Sequence, residues 1–189
     1  MKRLIDAQLV AWKNASRRKP LILRGARQVG KTFSVDAFGR EHFGNVVRVD
    51  LERNRDWHRL FAESLSPKDI LPQLELLANA QITPKKTLLF FDEIQSCPRA
   101  LMALRYFYEE LPDLHVVAAG SLLDFAMSDT SFPVGRVQFL EMYPLTFAEY
   151  LWATGKEMLA DIVLSAPKKA NDTAHRLLLD ELRKYLFVG

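Results

Sequence analysis

Eight consecutive residues, Gly25-Ala26-Arg27-Gln28-Val29-Gly30-Lys31-Thr32, have the spacing G-x-x-x-x-G-K-[ST] of a phosphate-binding P-loop. The two glycines let the backbone wrap closely around a polyphosphate, so that successive N–H groups point at its oxygens. Lys31 then reaches the β- and γ-phosphates, and the hydroxyl of Thr32 is a ligand for Mg²⁺. A chance match in a chain of this length is on the order of one percent.

A second group stands 60 residues further on, where Leu88-Leu89-Phe90-Phe91 runs into Asp92-Glu93. An acid at the end of a buried strand sits at the carboxyl edge of the sheet, where ligands of open α/β folds bind. Asp92 is placed to hold Mg²⁺ through water, and Glu93 to polarise an attacking water as a general base. The chain has no Asn-Lys-x-Asp for guanine recognition, and the second acid is unusual in small-molecule kinases, so ATP hydrolysis is the better reading.

Two further residues complete the candidate catalytic set. Ser121 ends the run Val116-Val117-Ala118-Ala119-Gly120 and can hydrogen-bond the γ-phosphate or the water; it reads equally as the N-cap of a helix starting at Leu122. Arg136 can stabilise charge on the transferring phosphoryl group, in cis or from a neighbouring subunit, or form a surface ion pair.

These residues need elements to position them, and the pattern alternates short apolar strands with amphipathic helices, as in a parallel sheet covered on both faces. Strands are expected at 21–23, 46–51, 87–91, 115–119 and 137–140, the third with no polar face and therefore central. Helices are expected at about 4–16, 30–42 and 66–80, from Pro98 along a Leu101, Leu104, Tyr108, Leu111 stripe, and after the capping box Thr146-Phe147-Ala148-Glu149. Residues 1–155 form the expected core domain, and 156–189 a helical segment in which Leu177, Leu178, Leu182, Tyr185 and Leu186 make one apolar side. An apolar helix at the end of the sequence either folds back on the core domain or belongs to a chain that continues, and the second is the expectation.

Composition narrows the classes. With 189 residues, 49% hydrophobic and 26% charged, the chain is globular, and its single cysteine, Cys97, excludes an intrachain disulfide. No apolar run approaches the roughly 18 residues of a spanning helix, so a cytoplasmic protein without membrane partners is expected. Residues 1–31 carry nine basic side chains against one acid, whereas the remainder is net acidic. That asymmetry favours a polyanion near the first segment, although Arg17-Arg18-Lys19 reads equally as a solvated face. The four histidines have no metal-ligand spacing, and Cys97 has no evident base.

The run Lys19 to Thr32 resembles a large family of bacterial and archaeal AAA-type ATPases, as do Phe91-Asp92-Glu93-Ile94-Gln95, Ala119-Gly120-Ser121-Leu122-Leu123, Pro133-Val134-Gly135-Arg136 and Tyr143 to Tyr150. The resemblance implies a three-layer AAA+-like P-loop fold with five parallel strands in the order 5-1-4-3-2. It further implies Walker A at Gly25–Thr32, Walker B at Asp92 and Glu93, and sensor 1 near Ser121. Family members generally continue into a C-terminal domain, often described as nuclease-like, so 156–189 is expected to begin a truncated region.

The expected activity is thus Mg²⁺-dependent ATP binding and hydrolysis, coupled to a C-terminal domain or protein client outside this chain, with homo-oligomers if Arg136 acts in trans. A slowly hydrolysing or non-hydrolysing ATP/ADP-operated switch or binding module is the alternative. No aromatics interleave the basic cluster, so a nucleic-acid surface is unsupported. A nucleic-acid motor survives only as an oligomeric ring, since 189 residues cannot hold the second motor domain of a two-lobed helicase.

Overall fold

Two strands are buried from end to end, and they set the centre of the fold. Every residue of β3 (Thr87–Asp92) and β4 (His115–Gly120) is buried in the computed structural model, which describes residues 1–121, 133, 135–165 and 171–188. They are flanked by β2 (Asn45–Asp50) on one side and by β1 (Leu21–Arg24) and then β5 (Gln138–Glu141) on the other. All four pairings are parallel and the order is β2-β3-β4-β1-β5, the expected 5-1-4-3-2 read from the other edge.

Because side chains alternate across a strand, each strand feeds two cores. Ile22, Val47, Val49, Leu89, Phe91, Val116 and Ala118 face one way. There they meet α3 (His58–Glu63), α4 (Pro67–Ala78) and α5 (Pro98–Glu110). Leu21, Leu23, Leu88, Phe90, Val117 and Ala119 face the other way, towards α1 (Leu4–Lys13) and α2 (Lys31–His42). The molecule is therefore a three-layer α/β fold. Beyond β5 come α6 (Phe147–Ala153), α7 (Glu157–Ser165) and α8 (Asp172–Val188). Among the described residues no helix is long and apolar enough to cross a membrane.

The departures from the sequence reading are local. The first helix stops at Lys13 rather than 16, where Asn14 caps it. The stripe of α5 runs through Phe107 instead of Tyr108, with Ala100 and Ala103 also buried, because the helix lies flat against the sheet. Ser66 is the N-cap residue of α4, but its hydroxyl leaves the cap to donate to Glu110 (3.0 Å). The 3-10 turn Arg55–Trp57 and α3 were not expected; at six residues α3 is too short to show a period. In α8, Leu178, Leu182 and Tyr185 turn inward, whereas Leu177 and Leu186 are exposed. Tyr185 donates to the Leu145 carbonyl (2.6 Å) and its ring meets Phe147 and Tyr150, so the terminal helix packs back on α6. The helix expected after Ser121 lies outside the described residues, as do Leu122, Leu123 and Val134.

His115 shows what the second core demands of a polar group. It is buried between Trp12 and Phe43, and its Nδ1 has no partner among the described residues. Burial, with Arg18 nearby, lowers its pKa to about 4. Between pH 6.5 and 4 the unfolded chain binds a proton that the folded chain refuses, so stability falls as the pH drops through that window. Urea denaturation should show a loss of about 2–3 kcal/mol between roughly pH 7.5 and 4.5 from this group, and His115→Leu should remove that share of the slope.

Candidate functional site

The loop after β1 is possible only with glycine at its first position. Gly25 has φ +155°, and a Cβ there would stand 2.1 Å from the carbonyl oxygen of Met142. Met142 in turn donates its N–H to the carbonyl of Arg24 (2.8 Å), so the segment after β5 crosses directly over the start of the loop. The loop then turns through Gln28 (φ 65°) and Gly30 (φ 94°) into α2, whose first residues are Lys31 and Thr32. The strand–loop–helix setting that the motif requires is present.

Lys31 is almost fully buried, and its ammonium donates to the carbonyls of Gly25 (2.9 Å) and Ala26 (2.7 Å). Burial lowers its pKa, while the negative charges of Glu93 and Asp92 oppose the shift. The Thr32 hydroxyl donates to Asp92 at the carboxyl end of β3, 3.0 Å to Oδ2 and 3.2 Å to Oδ1. Residues 60 apart in sequence thus meet at one sheet edge. Burial raises the pKa of Asp92, and the Thr32 hydroxyl and the Arg48 guanidinium resist that rise. A hydroxyl and a carboxylate in contact are the hard oxygen donors that suit Mg²⁺.

Glu93 follows in the left-handed conformation (φ 51°), a strained geometry for a side chain of its size and one that clusters at functional sites. Its Oε2 accepts from Gln95 Nε2 at 2.6 Å. Ser121 follows β4 at the same edge; its Oγ is buried and has no hydrogen-bond partner among the described residues. With Gly25, Ala26, Glu141 and Tyr143 it lines a cavity of about 350 Å³. Lys31, Thr32, Asp92, Glu93 and Ser121 are therefore brought to one edge.

Arg136 is not brought there. It precedes Gln138, which pairs with Leu21 at the amino end of β1, whereas the loop leaves β1 at Arg24. The guanidinium binds Glu109 at the far end of α5 (2.8 Å). Within its own chain Arg136 thus lies towards the amino end of β1, while the P-loop leaves the carboxyl end.

Two arginines escape a reading of the sequence. Arg3 is buried and tied on three sides: Nε to Glu149 (2.9 Å), Nη1 to the Val29 carbonyl in the loop (3.0 Å) and Nη2 to the Tyr143 carbonyl (2.9 Å). Glu149 also accepts from the Leu4 and Thr146 amides and the Thr146 hydroxyl. The capping box at Thr146 is legible, but nothing in it signals a partner 146 residues away. Arg48 lies beside Asp92, with Nη2 to Oδ2 at 2.7 Å. The alternation of Val47 and Val49 with Arg48 and Asp50 is the signal that places it on a face of its own.

Cutting Arg3 to Ala leaves a buried carboxylate uncompensated and should destabilise the fold by about 3–5 kcal/mol in chemical denaturation, as should Glu149→Ala. Gly25→Ala drives a methyl into a backbone oxygen and should cost about 2 kcal/mol or more.

Among known families, the model described as an AAA domain matches residues 17–151. No curated protein matches the chain. Among solved structures, that of Drosophila ORC bound to DNA superposes with a TM-score of 0.51 at 17% identity, covering 84% of this chain and 47% of that one. The likeness is one of fold, and the chain spans about half the length of that structure.

Proposed function

The chain belongs to the AAA domain family, and from that premise we propose that it binds ATP with Mg²⁺ in the 25–32 loop and hydrolyses it. The observation that carries the reading is the contact of Thr32 with Asp92, which joins the end of the loop to the strand-end acid. Lys31 sits where its ammonium can exchange the Gly25 and Ala26 carbonyls for phosphate oxygens. Thr32 and Asp92 would hold Mg²⁺, whose charge, when bound, offsets that of the phosphates. Glu93 polarises the attacking water, and Ser121 contributes the orphaned hydroxyl that orients it.

Arg136 fits a role in trans. It is half-exposed at the amino edge of the sheet, and its pairing with Glu109 is a surface ion pair worth little. Turnover per chain would then rise with protein concentration, and Arg136→Ala would lower turnover while leaving nucleotide binding intact. The nucleotide state would be passed through the 141–149 segment to the C-terminal helices and to a further domain or client. The Drosophila ORC structure holds its protein bound to DNA, and for this chain a nucleic-acid partner is an outcome to test.

One contact favours a second reading, a slowly hydrolysing switch. Gln95 occupies one of the two carboxylate oxygens of Glu93, Oε2. Mg²⁺-dependent ATP binding and turnover, compared across the parent and its Lys31, Glu93 and Gln95 variants, separate the two readings. Lys31→Ala should weaken binding about 100-fold, and Glu93→Gln should bind normally but lose about 100-fold in turnover. A parent that binds ATP but turns it over only slowly, together with a Gln95→Ala that speeds up several-fold, moves the assignment to the switch.

A further inference from the structure

Asp92 already has a cation, and it is a movable one. The alternation of β2 sends Val47 and Val49 into the core and leaves Arg48 and Asp50 on the opposite face. The register sets Arg48 against Phe90 and Asp50 against Asp92. Arg48 thereby meets three carboxylates: Nη2 lies 2.7 Å from Asp92 Oδ2 and 3.6 Å from Asp50 Oδ2, and Nη1 lies 3.4 Å from Asp36 Oδ2 on α2. The Asp92 oxygen taken by Arg48 is the one that Thr32 approaches most closely.

We propose that Arg48 is a resident counter-charge for Asp92 that gives up the carboxylate to Mg²⁺ as the nucleotide is captured, shifting to Asp36 and Asp50. The inference rests on the assignment of Asp92 to the metal. An ionised carboxylate as buried as Asp92 is costly without a compensating charge, and Arg48 supplies one. A guanidinium and a divalent cation on the same carboxylate repel each other, so they compete for it. The exchange needs little motion. The Arg48 side chain is 38% exposed where that of Asp92 is 3%, so the arginine is the partner free to swing. It stays paired afterwards, because Asp36 and Asp50 are already within reach. Asp50 is also met by Arg53, whose Nε lies 3.7 Å from the same Oδ2, so Asp36 is the carboxylate of the three that Arg48 meets without a second arginine named beside it.

The test titrates MgCl2 against a fluorescent ATP analogue at fixed concentration and reads the midpoint for capture. Arg48→Gln should lower that midpoint about three- to ten-fold. Asp36→Asn, a change on a partly exposed helix face, should raise the midpoint in the parent and have no effect in the Arg48→Gln background. A midpoint for Arg48→Gln equal to or above that of the parent overturns the proposal. If Arg48→Gln does not fold, an unchanged midpoint in Asp36→Asn alone overturns it. Asp92→Asn distinguishes the underlying reading: a midpoint equal to the parent's means that Asp92 does not serve the metal, whatever Arg48 does.

Discussion

A guanidinium and a carboxylate withdrawn from water hold three parts of this molecule in one place. The pair is tolerable because its hydrogen-bonding capacity is used: Arg3 spends Nε, Nη1 and Nη2, and Glu149 accepts on both oxygens. Through Val29 it fixes the loop, through Tyr143 the segment that crosses Gly25, and through Glu149 the first helix beyond the sheet. Arg is suited to this because its donors are spread over three nitrogens of a rigid plane and so reach acceptors set well apart, whereas those of Lys all leave one nitrogen. The same junction explains the glycine at position 25, where the Met142 carbonyl leaves no room for a side chain.

The carboxyl edge obeys a different logic, in which charge is gathered and left only partly neutralised. Lys31, Arg48, Asp92 and Glu93 come within mutual influence, and the buried members are each pushed towards neutrality by loss of water while neighbours of opposite sign hold them charged. Structural ion pairs are usually closed sets. Here the set is open on the side of the loop, with strained backbone at Glu93 and an orphaned hydroxyl at Ser121. Strain and unsatisfied polarity persist where the fold over-determines them, and function is the usual reason that they are kept.

Most of the architecture is legible in the sequence because it follows from periodicity and from one specific motif. Apolar runs such as Leu88 to Phe91 could only be central strands, and the glycine spacing before Lys31 requires a strand before it and a helix after it. Thr32 and Asp92 are legible as separate features; their contact follows from the order of the strands. What escapes has a common physical character. Arg3, Arg48 and Gln95 act through contacts that span the chain or depend on side-chain direction; the alternation along β2 places Arg48 on a face but does not name its partner Asp92. For Arg136 the sequence leaves open whether it serves its own chain or a neighbour, because its place before β5 does not say where its guanidinium reaches. The short α3 escapes because six residues cannot establish a helical period.

Calorimetric titration of ATP into the protein, with Mg²⁺ and again with EDTA, reaches the central claim most directly. The account predicts one nucleotide per chain, bound at least about tenfold more tightly with Mg²⁺ than without it. Absence of binding, or an affinity indifferent to Mg²⁺, would contradict a nucleotide site built on Lys31, Thr32 and Asp92.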